Sequence, residues 1–446
     1  MNTATAWLIG RPRTSAGRTR ALLVAGGSAT GGGLLIAAAA VLRVPGQQVE
    51  YLPDGGVAYL TPPGGYSSLV VQAGLRPGVL TGILLLVLPA LALSWQAVTT
   101  GSARRAAVHE ALRISGAAPA DLRRVAVVEP AVAGFSGGLL AGGVYLALWL
   151  LLHVAAPPNA RLLPGLSPLD AAAGLVVVVL TTLVGGAAGA LAATPRRRRP
   201  VRAWPRLLAV AVGIAALVAV VSAPRDTARP ALATTLTCAA LVVLSLGLLS
   251  TGALWVTSRA RRLARSGTAV DVLAAGGLRT LAGPAGRTSG TTCVAGLALG
   301  VVGGLTGQLL EPEHSLTESL PGVLFAVLAG VFAVLAAAAS LALAATDDLV
   351  TTRRAVASTA ALGADPAVLE QVQRRRLAVV TTGPLMAGVL LGSLYALGAQ
   401  SPIALGTVLL TIALALLFAR ALTAAVTRAL RPQLTRAAAP SSLRVA

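Results

Sequence analysis

The chain has 446 residues, 55% of them hydrophobic and only 11% charged, less than half the roughly 25% charge of a soluble domain, so most of it belongs in lipid. Its net charge of +21 would point to nucleic acid in a soluble protein. Here the arginines sit in short loops beside apolar runs, without interleaved aromatics on which bases could stack, and nucleic acid is excluded as a partner. All 36 basic residues are arginine, so a P-loop, which needs a lysine on the β- and γ-phosphates, cannot be built from this chain. No cofactor is expected in it, and any ATP that drives it is bound by another polypeptide.

The order of elements follows from the apolar runs, since a spanning helix needs about 20 apolar residues to cross roughly 30 Å of hydrocarbon. Residues 1–20 are polar and arginine-rich and read as a cytoplasmic tail; the next run, 21–42, is long enough to span rather than to be a cleaved signal. Ten spans are predicted, at 21–42, 79–100, 125–154, 171–193, 207–223, 231–257, 290–310, 323–345, 377–399 and 403–425. Between the first two, Val49–Leu52 and Val57–Leu60 flank Pro53-Asp54-Gly55-Gly56, a hairpin signal. It is expected to pack on the spans or on a partner, because two strands alone are marginal. The other loops on that side look too small to fold independently. Cys238 and Cys293 lie in apolar runs and read as buried free thiols, and His109, His153 and His314 have no metal-ligand spacing.

Arginine bias sets the orientation. With the N-terminus inside, only Arg43, Arg76, Arg161, Arg225 and Arg229 fall outside, and the other 31 of the 36 fall on the cytoplasmic side. Both termini are therefore expected in the cytoplasm of a multi-pass plasma-membrane protein, with Arg196–Arg199 as a topology anchor against anionic lipid.

Two cytoplasmic stretches repeat. Arg104-Arg105 leads through Gly116-Ala117-Ala118-Pro119 to Arg123-Arg124, and Arg353-Arg354 leads through Gly363-Ala364-Asp365-Pro366 to Arg375-Arg376. In each, glycine frees the backbone and proline biases its predecessor away from helix. An alanine-rich charged helix (Ala103–Ile114 in the first stretch) is thus broken and restarts as one that enters the bilayer. The repeat extends upstream, where Leu8-Ile9-Gly10-Arg11 and Ala16-Gly17-Arg18 parallel Leu273-Ala274-Ala275-Gly276 and Ala285-Gly286-Arg287. The expected fold class is an all-α membrane protein of about ten transmembrane helices, with two parallel four-helix repeats and an inserted helix pair. Its parts are a cytoplasmic tail 1–20, a first repeat 21–193 and an inserted pair 194–257. A cytoplasmic linker 258–289, a second repeat 290–425 and a cytoplasmic tail 426–446 follow.

His109-Glu110-Ala111-Leu112-Arg113-Ile114-Ser115-Gly116-Ala117, then Leu122-Arg123-Arg124 and Glu129, then Gly134-Phe135-Ser136-Gly137-Gly138 resemble the FtsX-type permease domain of ABC transporters. The second copy is similar at Ala361-Leu362-Gly363-Ala364 and Gly388-Val389-Leu390-Leu391-Gly392, but has Thr381-Thr382 where the first has Glu129. The resemblance implies a transport subunit, not itself an enzyme, that partners a separate, dimeric cytoplasmic ATPase and moves lipids, lipoproteins or peptide-like substrates. It implies that the repeated loops are coupling helices, with Glu110, Arg113, Gly116, Ala117 and Pro119 in one copy. Arg353, Arg354, Gly363, Ala364, Asp365, Pro366 and Glu370 are their counterparts in the other. The large external domain of MacB-like members is absent from this pattern.

Two other functions fit less well. A secondary transporter usually shows midplane ionisable or broken-helix sites, and none stands out; a mechanical or signalling subunit could use the same ATPase coupling. Glu129 reads as an arginine partner or helix cap, Asp170 as an N-terminal residue favoured by the helix dipole. The runs Gly31–Gly33, Gly185-Gly186 and Gly300–Gly304 read as close helix contacts.

Overall fold

A computed structural model describes residues 15–46, 48–51, 57–60, 64–72, 76–99, 111, 113–157, 159–193, 204–222, 230–310, 316–394 and 402–439. Six helices among these residues are long and apolar enough to cross a bilayer. The protein is a helical membrane protein, as the requirement to satisfy every backbone polar group inside lipid dictates. In chain order the elements are α1 (Ser15–Leu42), β1 (Gln48–Tyr51), β2 (Val57–Leu60), α2 (Ser68–Val71), α3 (Arg76–Thr99) and α4 (Pro119–Trp149), which runs on in a π-turn over Leu150–Val154. Then come α5 (Pro168–Ala193), α6 (Trp204–Ser222), α7 (Pro230–Leu263), α8 (Ala269–Thr280), α9 (Ala282–Leu309), α10 (Leu316–Ala361), α11 (Pro366–Ser393) and α12 (Pro402–Ala438). The predicted hairpin is present, antiparallel, with Gln48 opposite Leu60 and Tyr51 opposite Val57.

Helices α1, α3, α4 and α5 form one quartet centred on α1, which packs on the other three; α9 to α12 form a second, centred in the same way on α9. Glycines set the approach at the crossings. A Cβ on Gly137 of α4 would run into the Ala25 carbonyl of α1, and one on Gly388 of α11 into the Cys293 carbonyl of α9. Gly134 and Gly185 let α4 and α5 meet backbone to backbone, and Gly296, Gly300 and Gly392 do the same for α9 and α11. Small residues bring helices together in lipid because contact there rests on packing rather than on water exclusion. The hairpin α6–α7 attaches to the second quartet, where Gly286 and Gly290 of α9 receive α7. The quartets join along α3, which packs on α9 and α10 and donates Gln96 Nε2 to Thr288 Oγ1 at 2.9 Å.

One end of the bundle is arginine-rich: Arg20 of α1 pairs with Glu129 of α4, and Arg375 and Arg376 of α11 meet α8 and α10. At the opposite end the loops fold onto one another rather than independently. Ser67 N–H donates to the Arg161 carbonyl at 2.9 Å, Arg161 N–H to Gly65 at 3.3 Å, and Trp149 Nε1 to Pro164 at 3.0 Å. Arg43 binds Asp170 and Ser167, and Arg76 reaches the carbonyls of Val70 and Val44 at 2.6 and 2.7 Å. Leu162 and Leu163, buried under this cap, supply the apolar contact that a count of loop residues does not reveal. Asp170 also accepts from Ser167 N–H at 2.9 Å, the N-terminal role foreseen for it.

Several helices run past their predicted spans, α10 and α12 furthest. At 1.5 Å per residue the 46 residues of α10 extend about 69 Å, over twice the hydrocarbon thickness, so α10 runs unbroken from its apolar stretch to the second glycine turn. Helix α12 continues through 426–438, which its charge had marked as tail. Leu430 and Leu434, one turn apart, bury against Leu341, Leu349 and Leu377 and keep it helical.

Candidate coupling site

Both repeated stretches build the same elbow. In the second, Gly363 N–H donates to Ala360 and Ala364 N–H to Thr359, at 2.9 and 3.2 Å, and Gly363 has φ +92°. This is a Schellman ending, in which a left-handed residue lets the last carbonyls of a helix be satisfied. Asp365 then caps α11, accepting from Ala367 N–H at 2.9 Å, with Pro366 at its first position. In the first elbow Gly116, at φ +88°, donates to Arg113 at 3.1 Å; extended Ala118 follows and Pro119 opens α4. Around neither glycine would a Cβ meet anything within 4 Å, so the backbone conformation, not crowding, requires glycine at both places. Helices that run alternately to and from the arginine-rich end put both elbows there, joined to α4 and α11, the corresponding members of the quartets.

The tips are apolar. Ile114, two residues before Gly116, is 80% exposed, and Leu362, next to Gly363, is 89% exposed, whereas the residues singled out for charge are disposed differently. Arg353 and Arg354 are exposed on α10 and Arg113 beside Ile114. Glu370 pairs with exposed Arg431 of α12 at 3.1 Å. Glu110 lies outside the described residues, as do Arg104, Arg105 and most of the predicted helix Ala103–Ile114.

Below each tip the helix that follows the turn has an ionic root. In the first it is Glu129 with Arg20, the arginine partner foreseen for that carboxylate. In the second the signs are exchanged. Arg375 Nε donates to Asp271 of α8 at 2.9 Å, while Arg376 lies 3.6 Å from Asp348 of α10 and donates to the Leu273 carbonyl at 3.4 Å. Buried Gln373 donates to Asp348 at 3.2 Å. The Arg376 guanidinium lies flat against Gly277, where any Cβ would displace it. Thr381 needs no ionic partner, because its hydroxyl turns back to the Leu377 carbonyl. Beside this root is a cavity of about 90 Å³ between α8, α9, α10 and α11, with Leu278, Leu341 and Val380 in its wall and Asp348 and Arg376 at its polar end. Sequence reasoning named Arg376 only as part of the repeated arginine pair and passed over Asp271 and Asp348. The available signal was the single carboxylate of α8 and the Asp347-Asp348 pair just past the apolar stretch of α10.

Burial of Asp271 opposes its charge, but hydrogen bonds from Ser266 and Arg375 outweigh this and hold its carboxyl below the usual value. A depressed folded pKa contributes stability above the unfolded pKa of about 3.9 that is lost only as pH falls through the lower folded value. The α8–α11 contact should therefore be constant from pH 8 to about pH 5 and weaken only below about pH 4. Asp271→Asn should weaken it at neutral pH by about 1 kcal/mol, a modest figure because Arg375 is half exposed. Hydrogen exchange over 269–280 and 366–376, corrected for intrinsic rates, reads this; equal protection in the variant and the parent would refute it.

No protein-family profile, curated protein or solved structure matches this chain.

Proposed function

We propose that this chain is the permease subunit of an ABC transporter of the FtsX-like type. It would couple ATP hydrolysis by a separate, dimeric cytoplasmic ATPase to the movement, in the export direction, of a lipid, lipoprotein or peptide-like substrate. In this reading it is a plasma-membrane protein of ten spans with both termini inside. The quartets around α1 and α9 are parallel repeats, α6–α7 is the inserted pair, and α3, α6, α9 and α10 span alongside the six helices that, among the described residues, are long and apolar enough to cross. One observation carries it: two elbows of the same Gly-x-x-Pro geometry lie at the same end of two quartets with the same internal packing. Two like surfaces on one face are what a dimeric partner requires. Closure of the ATPase would press the elbows together, and α4 and α11, pinned at their ionic roots, would rock as rigid levers.

Exposed aliphatic tips suit this use, since a single large apolar residue in a pocket, ringed by charge, is a common way to concentrate binding energy. Ile114→Asp together with Leu362→Asp is expected to abolish ATPase stimulation and co-purification while membrane insertion is unchanged. The measurement is ATP turnover by the partner ATPase in vesicles containing the parent or the double variant. Undiminished stimulation by the double variant, or no ATPase retained by the parent chain, would overturn the proposal.

A further inference from the structure

We propose that the corner formed by the end of α7 and by α8 binds the headgroup of an anionic phospholipid, and that this lipid braces the root of the second lever. Trp255, Arg259 and Arg262 recur at the i, i+4, i+7 spacing that places side chains on one face of a helix. The Arg259 guanidinium sits 4.5 Å above the Trp255 ring, and Trp255 Nε1 donates to the Val379 carbonyl of α11 at 3.2 Å. Leu278 of α8 packs in the same cluster as Trp255, Val256 and Ala260, so exposed Arg279 stands one residue from that contact.

Charge and depth select the occupant. Between 255 and 280 the chain carries five arginines, at 259, 261, 262, 265 and 279, and one acid, Asp271. Asp271 is buried and committed to Arg375. Among the described residues none of the five arginines takes part in an ion pair. The apolar run of α7 gives way to Arg259, Arg261 and Arg262 just before the helix ends at Leu263, which places this tryptophan and these arginines where a helix leaves hydrocarbon for headgroups, the zone that favours tryptophan and basic clusters facing anionic lipid. An acidic protein segment could answer the charge but not the tryptophan. Val272 and Leu273, half exposed on α8, likewise suit an acyl boundary better than a charged partner.

The second half of the proposal rests on the coupling role of the elbows. Helix α8 supplies Asp271 to Arg375 and both the Leu273 carbonyl and the Gly277 surface to Arg376. A lipid that holds α8 in place therefore holds the base of α11.

The test uses the full chain in phosphatidylcholine nanodiscs with and without phosphatidylglycerol, and the variant R259Q/R262Q/R279Q, with R279Q alone should the triple variant not fold. Phosphatidylglycerol is expected to slow hydrogen exchange over 255–280 in the parent. Phosphatidylglycerol retained through purification should fall at least about tenfold in the triple variant, given that each arginine near an anionic surface is worth about fivefold in binding. Equal retention by parent and variant, the same slowing in phosphatidylcholine alone, or slowing that needs the ATPase and not the anionic lipid would each overturn the site. Stimulation of the ATPase that rises with phosphatidylglycerol in the parent but not in the variant would support the bracing role. Lipid bound with no change in that stimulation would overturn the bracing role and leave the site standing.

Discussion

Replacing Gly388 by leucine is expected to unseat α11 from α9 and to cost about 3 kcal/mol or more, the upper end of what overpacking a close contact costs. The reason is the identity of the obstacle. A Cβ at Gly388 would meet the Cys293 carbonyl and the backbone of Leu297, and a helix backbone cannot rotate aside as a side chain can. Gly137→Leu should act similarly against Ala25 in the first quartet. Gly142→Leu on α4 supplies the control, because nothing lies within 4 Å of a Cβ there. Thermal unfolding in detergent, followed by protease resistance, would separate them. Gly388→Leu melting together with the parent and the Gly142→Leu control would show that α9 and α11 do not cross backbone to backbone at Gly388.

Valine at the elbow glycines is expected to act on coupling instead. Gly116 and Gly363 hold φ of +88° and +92°, where a left-handed residue costs an L side chain about 1–2 kcal/mol and a β-branched one more. The space around both is open, so the elbow would relieve that strain by changing its angle, and the tips at Ile114 and Leu362 would leave their docking positions. Stimulation of the partner ATPase should fall about tenfold, the equivalent of 1.4 kcal/mol, with insertion and melting nearly unchanged. Gly363→Asn should retain most of it, since asparagine tolerates the left-handed region. This conservative rescue separates turn geometry from loss of a contact. Full stimulation by both valine variants would refute the lever role of the turns.

The two levers differ in length. Gly116 precedes Gly137 by 21 residues and Gly363 precedes Gly388 by 25, so the second elbow stands about one helical turn, or 6 Å, further out.

Much of this was legible along the chain, and the reason is local. The hairpin at 48–60 follows from two β-prone runs around Asp-Gly-Gly. The elbows follow from glycine and proline three residues apart, because φ > 0 and a missing N–H are properties of single residues. Glu129 could be assigned an arginine partner because a carboxylate beside lipid has few alternatives. Other features were hidden because they depend on what faces what. Glu370 carries the same charge whether it points to a partner or, as here, to Arg431. Loops 64–72 and 155–167 look trivial separately and become a cap only when joined at Ser67 and Arg161.

Membrane character, helix lengths and the places where the chain must turn are consequences of composition and spacing, readable without coordinates because each depends on neighbours along the backbone. The partners of Asp271, Asp348 and Arg376, the glycine crossings between α9 and α11 and the extension of α12 beyond its apolar stretch depend on neighbours about 30 to 100 residues away. These became definite only once the helices had packed, because a buried charge or a missing Cβ takes its meaning from the surface set against it.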